Sequence, residues 1–205
     1  MVLPIVIYGD PVLRGEAALV NQITNDVRAL ASNMVETMID AEGVGLAAPQ
    51  VGVPIQLAVI DIAHATDSIT LFRVDGQESR IGDWMPLIFV NPVIKGGRAK
   101  ASDTEGCLSF PGLRYQITRP AQVTARLTLL DGRTITIDTD GLLARALQHE
   151  TDHLHGRLFI DRLSAADKLT LKRRLAQMYE EIEEDKRAAR RTQPRTLLTR
   201  DEANS

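Results

Sequence analysis

This chain of 205 residues is poor in cysteine: it has one, Cys107. One thiol closes no intramolecular disulfide, which points to a reducing compartment, most simply the cytoplasm. Long apolar runs are missing too. Residues 1 to 7 are apolar but few, carry no basic flank and meet Gly9-Asp10-Pro11, so they do not read as a signal peptide. No stretch approaches the ~20 apolar residues of a membrane span, so no membrane partner is expected. Positive charge is not in excess. The formal net charge is -3, and no sequence-specific nucleic-acid partner is expected on that balance. No Gly-Lys-Ser/Thr follows the glycine-rich segment 43–52, which excludes a phosphate-binding loop. Internal repeats and linkers are absent. The remaining composition, 44% hydrophobic and 25% charged, suits one domain over residues 1–191, with a flexible polar tail at 192–205.

Taken in order, residues 5 to 8 are a short extended segment closed by a turn at Gly9-Asp10-Pro11. A helix follows, capped by Thr24 or Asn25. Val27, Leu30, Ala31, Met34, Val35, Met38 and Ile39 form its buried stripe, and it stops before Gly43. The segment Gly43-Val44-Gly45-Leu46-Ala47-Ala48-Pro49-Gln50-Val51-Gly52 is too rich in breakers for regular structure and is expected as a loop. Leu57 to Asp61 reads as a strand. Residues 63 to 86 read as a polar surface hairpin or insertion. Leu87 to Val90 is a buried strand ended by Asn91-Pro92, and Gly96-Gly97 turns the chain. Thr104 to Gly112 is a second segment bounded by glycine and proline. Gln122 to Leu130 and Thr134 to Asp138 form an antiparallel pair about the turn Asp131-Gly132.

The next segment contains His149-Glu150-Thr151-Asp152-His153. On a helix, residues four apart share a face, so His149 and His153 can aim two imidazoles at one metal ion. Glu150 projects nearby, where a carboxylate can take a proton from water held at that ion. Helicity is supported by a cap at Thr139 or Asp140, by Leu142, Leu143, Ala146, Leu147, Glu150 and Leu154 at helical spacing, and by Gly156 as a stop. Apolar residues on more than one side place this helix centrally, covered by sheets. A last helix, residues 164–191, opens on the capping pattern Ser164-Ala165-Ala166-Asp167 and buries Leu171, Leu175, Met178 and Ile182. Its charged faces read as solvated; the runner-up reading is docking to a large anionic partner.

A metal site that acts on water needs a third protein ligand and an open position. One class of metalloprotease supplies a third histidine where this chain has Phe159, which cannot ligate. His155 lies on another helix face and suits a cation at the helix end. His64 lies in the insertion and is a weak candidate. Cys107, beside Gly106, is the better third ligand, because a thiolate binds Fe(II), Co(II) and Zn(II) strongly.

Three segments together resemble the peptide deformylase family: Gly43 to Gln50, Glu105-Gly106-Cys107-Leu108-Ser109, and Gln148 to Leu154. The resemblance covers about residues 1 to 165 and includes Gly9-Asp10-Pro11-Val12-Leu13-Arg14. It implies an α+β fold with antiparallel sheets surrounding a central metal-binding helix, joined here by the C-terminal helix. It implies removal of the formyl group from the N-terminal formyl-methionine of nascent polypeptides. The ligands would be Cys107, His149 and His153, holding one divalent metal, Fe(II) first, with Zn, Ni or Co as alternatives. Glu150 would be the general acid and base. The Gln50 amide and the Leu108 backbone N–H are the candidate donors to the developing oxyanion. By position, Val44, Leu142, Ala146 and the His149 ring would wall a methionine pocket. The backbones of Gly43, Gly45 and Gly106 would admit the extended substrate as an added strand. Arg145 falls where an apolar wall is expected, so it either points away or lines the mouth with its stem. In some bacterial members a helix like the last one docks on the ribosome. The competing activity is a His-Glu-x-x-His metallopeptidase cutting internal bonds; Phe159 and the Cys107 segment argue against it.

Overall fold

The structure is a computed structural model and describes residues 1–192. The tail expected beyond the last helix lies outside the described residues, apart from Thr192, which still belongs to that helix.

Helix α1, Asn25–Asp40, starts where Thr24 Oγ1 accepts from the Val27 N–H at 3.3 Å. It buries Ala31, Met34 and Met38, but Ile39 is 61% exposed and leaves the expected stripe. Nine strands follow in chain order: β1 Gly45–Ala47, β2 Leu57–Ile60, β3 Phe72–Val74, β4 Gln77–Glu78, β5 Leu87–Gly96, β6 Lys100–Gly106, β7 Arg114–Pro120, β8 Gln122–Leu129 and β9 Thr134–Asp140. Seven form one antiparallel sheet in the order β1-β2-β5-β8-β9-β3-β4; β6 and β7 form a separate hairpin. Between β9 and the final helix runs α2, Gly141–Leu154; α3 spans Ala165–Thr192.

Three expectations are corrected. The segment 43–52 is not an irregular loop. Gly45 to Ala47 pair with β2, and Ala48–Val51 form a 3₁₀ turn. The breakers end that turn instead of preventing order: Pro49 sits in its first residues and Gly52 closes it at φ 80°. The strand at Leu87 does not stop at Asn91-Pro92. Asn91 adopts φ 50°, a bulge forms between Val90 and Val93, and β5 continues to Gly96. The Asn91 side chain accepts from the Val20 N–H and donates to the Val20 carbonyl, both at 2.9 Å, which anchors the bulge. Finally, Thr104 to Gly106 belong to β6, whose alternation is hidden by its exposed polar residues.

The insertion 63–86 contributes a hairpin around Asp75-Gly76 and joins the main sheet through β3 and β9. Asp140 ties it to the start of α2. Instead of capping the helix, its carboxylate accepts from Thr70 N (2.8 Å), Thr70 Oγ1 (2.5 Å) and Leu71 N (3.0 Å). Helix α2 is the centre of the molecule: 11 of its 14 residues are buried, so no face is left for water. Helix α3 lays Leu171, Leu175, Met178 and Ile182 on the cluster of Leu13, Phe110, Ile117 and Phe159. Ser164 opens it as expected, accepting from the Asp167 N–H at 3.1 Å.

Candidate active site

Two elements bring the sulfur and the imidazoles together. Cys107 sits in the turn after β6, where the Phe110 N–H donates to its carbonyl at 2.9 Å. His149 and His153 lie one turn apart on α2 with ring centroids 5.0 Å from each other. The ligand atoms of all three residues lie within 4.8 Å of one another, and Cys107 Sγ is 3.3 Å from His153 Nε2.

Glu150 stands on the same helix, 4% exposed. Its Oε2 is buried and has no protein partner among the described residues. Burial raises its carboxyl to about 7, against the pull of His149 and Arg119. Gln50 reaches in from the 3₁₀ turn. Its Oε1 accepts from the Ala47 N–H at 2.8 Å, which fixes the amide orientation and points Nε2 at Cys107 Sγ (3.4 Å) and Ser109 Oγ (3.3 Å). The Leu108 N–H donates to no protein group among the described residues.

The glycines expected to admit substrate have close neighbours of their own. A Cβ on Gly45 would lie 2.3 Å from Glu150 Oε1, and one on Gly43 would lie 2.8 Å from Leu108 Cδ1. Gly106 ends β6 opposite Arg114. Val44 and Leu142 are half-buried against one cluster together with Ile69, Trp84 and Met85; Ala146 lies within it.

Behind the imidazoles lies a charged network to which the sequence assigned no role. Glu105 Oε2 is 3.2 Å from His149 Nδ1. A carboxylate only accepts, so Nδ1 carries the hydrogen and Nε2 faces Cys107. Arg119, with no exposed surface, grips Glu105 through Nε (2.6 Å) and Nη2 (2.9 Å) and reaches Asp152 through Nη1 (2.7 Å). Arg162 closes the chain on Asp152 at 2.7 and 2.9 Å. Burial would raise Glu105, but hydrogen bonds from His149 and Arg119 outweigh it and hold the carboxyl at about 2. The only sign of this network in the sequence is charge where none is needed: Asp152 between the two histidines' turns, and Arg119 on an otherwise alternating strand.

Arg145 points away from the expected pocket wall and is buried at Glu105. The Phe159 ring lies tilted at 6.1 Å from that of His149 and edge-on at 5.1 Å from that of Phe110, an apolar contact and not a ligand. His155 caps α2 and lies 2.6 Å from Glu16; His64 is exposed and outside the group.

The donor set fits a divalent cation. Without one, burial lowers His149, yet its hydrogen bonds to Cys107 and Glu105 raise it to about 10. Burial and the nearby charge of His149 hold His153 well below the usual range. His149 therefore holds a proton that a metal ligand must give up, and a divalent cation would take that proton's place. The orphaned Glu150 Oε2 in the same buried space needs a partner such as water.

Comparisons with known proteins agree. The profile of the family described as Polypeptide deformylase matches residues 2–169. A peptide deformylase of Methylacidiphilum infernorum is 41% identical over 175 residues, 85% of this chain and 92% of that protein. One from Agrobacterium fabrum is 43% identical over 162 residues, 78% and 86% of the two chains. The crystal structure of a peptide deformylase from Synechococcus elongatus in complex with actinonin superposes with a TM-score of 0.71 at 37% identity, covering 86% of this chain and 85% of that one. With residues 2–169 matched and relatives above 40% identity along most of both sequences, this chain belongs to the polypeptide deformylase family, whose members are metal-dependent enzymes.

Proposed function

We propose that the chain removes the formyl group from the N-terminal formyl-methionine of nascent polypeptides and releases formate, using residues 1–191 as one catalytic unit. The observation that supports this reading best is the convergence of Cys107, His149 and His153 beside a buried carboxylate. These three residues would hold the metal. When bound, that ion supplies a Lewis acid that lowers the pKa of water and polarises the formyl oxygen. Fe(II) is the metal chosen here on family grounds; by ligand type Zn(II), Ni(II) and Co(II) suit one thiolate and two imidazoles as well.

Glu150 takes the proton of the attacking water, and its carboxyl near 7 is poised to do so at neutral pH. As the oxygen adds to the formyl carbon, negative charge gathers on the formyl oxygen. The Gln50 Nε2–H and the Leu108 N–H stand ready to donate to it. Glu150 then returns the proton to the departing amine, leaving a free methionine N-terminus. Val44, Leu142, Ala146 and the His149 ring form the methionine pocket. β1 is the last strand of its sheet, so its open edge, with the backbones of Gly43, Gly45 and Gly106, takes the extended substrate.

The reaction is placed in the cytoplasm, where nascent chains emerge. No helix among the described residues is long and apolar enough to cross a membrane. Because α3 buries its apolar stripe, Lys168, Lys172, Arg173 and Arg174 face outward, available for docking on the ribosome. Cosedimentation with ribosomes, lost when these four are changed to Glu, tests that contact. The activity itself is tested by formate release from formyl-Met peptide against cleavage of an unformylated peptide, after anaerobic purification with metal analysis. Internal cleavage without formate sinks the reading.

A further inference from the structure

Arg145 is the one charged side chain of α2 that reaches both strands of the hairpin carrying Cys107. Its Nη1 donates to Glu105 Oε1 at 2.5 Å and to the Ile117 carbonyl of β7 at 2.9 Å. Its Nη2 donates to the Ala101 carbonyl of β6 at 3.1 Å. The side chain is 10% exposed. On the helix it lies four residues before His149, and Glu105 lies two residues before Cys107.

Neutralising Glu105 does not account for this arrangement. Arg119 already grips both oxygens of that carboxylate. What Arg145 adds is a pair of backbone carbonyls, one from each strand, and a third point on Oε1. A planar guanidinium offers those donors in fixed directions; an ammonium does not. The metal-binding group itself is split between two elements, with the sulfur at the end of β6 and both imidazoles on α2. Its size therefore depends on how far the hairpin stands from the helix, and Arg145 spans that gap one turn from His149.

We propose that Arg145 is a positioning residue for the metal centre: it staples α2 to both strands of the hairpin and sets the reach from the Cys107 thiolate to the two imidazoles. The proposal rests on reading Cys107, His149 and His153 as the ligands. It gives a purpose to a buried arginine at a position that could have been apolar.

The test loads Co(II) into the metal-free wild type, Arg145→Lys and Arg145→Met. Affinity is read by chelator competition, and geometry by the sulfur-to-cobalt charge-transfer and d–d bands. Losing such a supporting contact typically weakens metal binding by about 10–100-fold, and both variants are expected to fall in that range with altered bands. An arginine that merely stabilised the fold would lower the melting temperature and leave affinity and bands unmoved. Affinity within about threefold of wild type in both variants, well below that range, overturns the proposal. So does full recovery in Arg145→Lys, because charge without the fork would then suffice. If Arg145→Met fails to fold, Arg145→Lys decides alone. His153→Ala is the control: if it binds Co(II) as wild type does, the ligand assignment itself falls, whatever the Arg145 variants show.

Discussion

Gly45→Ala should disable the catalytic carboxylate without touching any functional group. The added Cβ would lie 2.3 Å from Glu150 Oε1, 2.9 Å from Cδ and 3.0 Å from Cγ. Ordinary contact begins near 3.4 Å, so the carboxylate must retreat by about 1 Å. The backbone cannot yield easily, because Gly45 pairs with Ile60 in register and its strand is buried. Its φ is not in the left-handed region, so alanine itself is tolerated there. The strain therefore falls on Glu150. A displacement of about 1 Å in a reacting group typically costs ~10²-fold in rate. Overpacking costs about 1–3 kcal/mol, and the stiffer unfolded chain returns about 0.4–1 kcal/mol. The net loss, at most about 2.5 kcal/mol, corresponds to a melting point lower by no more than ~10 °C. The assay is kcat/KM for formate release, with metal content measured on the same sample. None of the three proposed ligands is changed, so metal should remain at the wild-type level. A fully metallated Gly45→Ala enzyme within about threefold of wild type, less than ~0.7 kcal/mol of barrier, would refute the claim that the bare Cα is there to seat Glu150.

Other expectations follow from the same geometry. Gln50→Ala should lose ~10²–10³ in kcat, as removal of an oxyanion donor does; a value within about threefold removes Gln50 from the mechanism. Glu150→Ala should lose more activity while still binding metal, checked by metal analysis beside formate release. Chelation should abolish activity and re-addition of Fe(II) or Co(II) restore it, with the iron form fading in air as the thiolate oxidises. Asp140→Ala frees the insertion at Thr70 and Leu71 and should cost about 1 kcal/mol at neutral pH, after allowance for solvent screening. Burial raises the Asp140 carboxyl, but its hydrogen bonds with Thr70 and Leu71 prevail and lower it. A depressed carboxylate stabilises above its unfolded pKa of about 4 and loses that contribution as pH falls through the folded value. The urea-unfolding gap between Asp140→Ala and wild type should therefore close below about pH 4; a gap that persists there contradicts the account.

The sequence disclosed those parts of the molecule that repeat or stand four residues apart. Helices α1 and α3 declared themselves through caps and apolar spacing, α2 through spacing and the stop at Gly156, and the β8–β9 hairpin through alternation about Asp131-Gly132. The hairpin β6–β7 did not. Its strand β6 is almost wholly polar and exposed, with Thr104 paired to Gln116, which leaves no apolar rhythm on that strand to detect. Glycine and proline at 43–52 suggested a loop, yet Gly45 opens a paired strand and Gly52 closes the 3₁₀ turn that follows it. At the site, the residues with distinctive chemistry were legible because His-Glu-x-x-His and a lone cysteine leave few choices. The supporting charges were not, because partners such as Glu105 and Arg119 are 14 residues apart and meet only once the hairpin closes.

That buried charge adds to the reading of α2 as a central helix with apolar residues on more than one side. A helix enclosed on every side is expected to be apolar throughout, but Arg145, Gln148 and Asp152 are all buried. Each ion taken from water costs several kcal/mol, so such a cluster is not justified by stability; apolar substitutes of similar volume often do as well. What apolar residues cannot do is hold a hydrogen-bond acceptor at His149 Nδ1. Arg119, Arg145 and Arg162 set three guanidiniums against the carboxylates of Glu105 and Asp152, so Glu105 stays ionised without drawing a proton from the imidazole. His149 then keeps its Nδ1–H, and Nε2 is the nitrogen that would offer its lone pair to a metal. The polar face of α2 is thus covered by a second polar face, and the two together orient the residues that His-Glu-x-x-His only names.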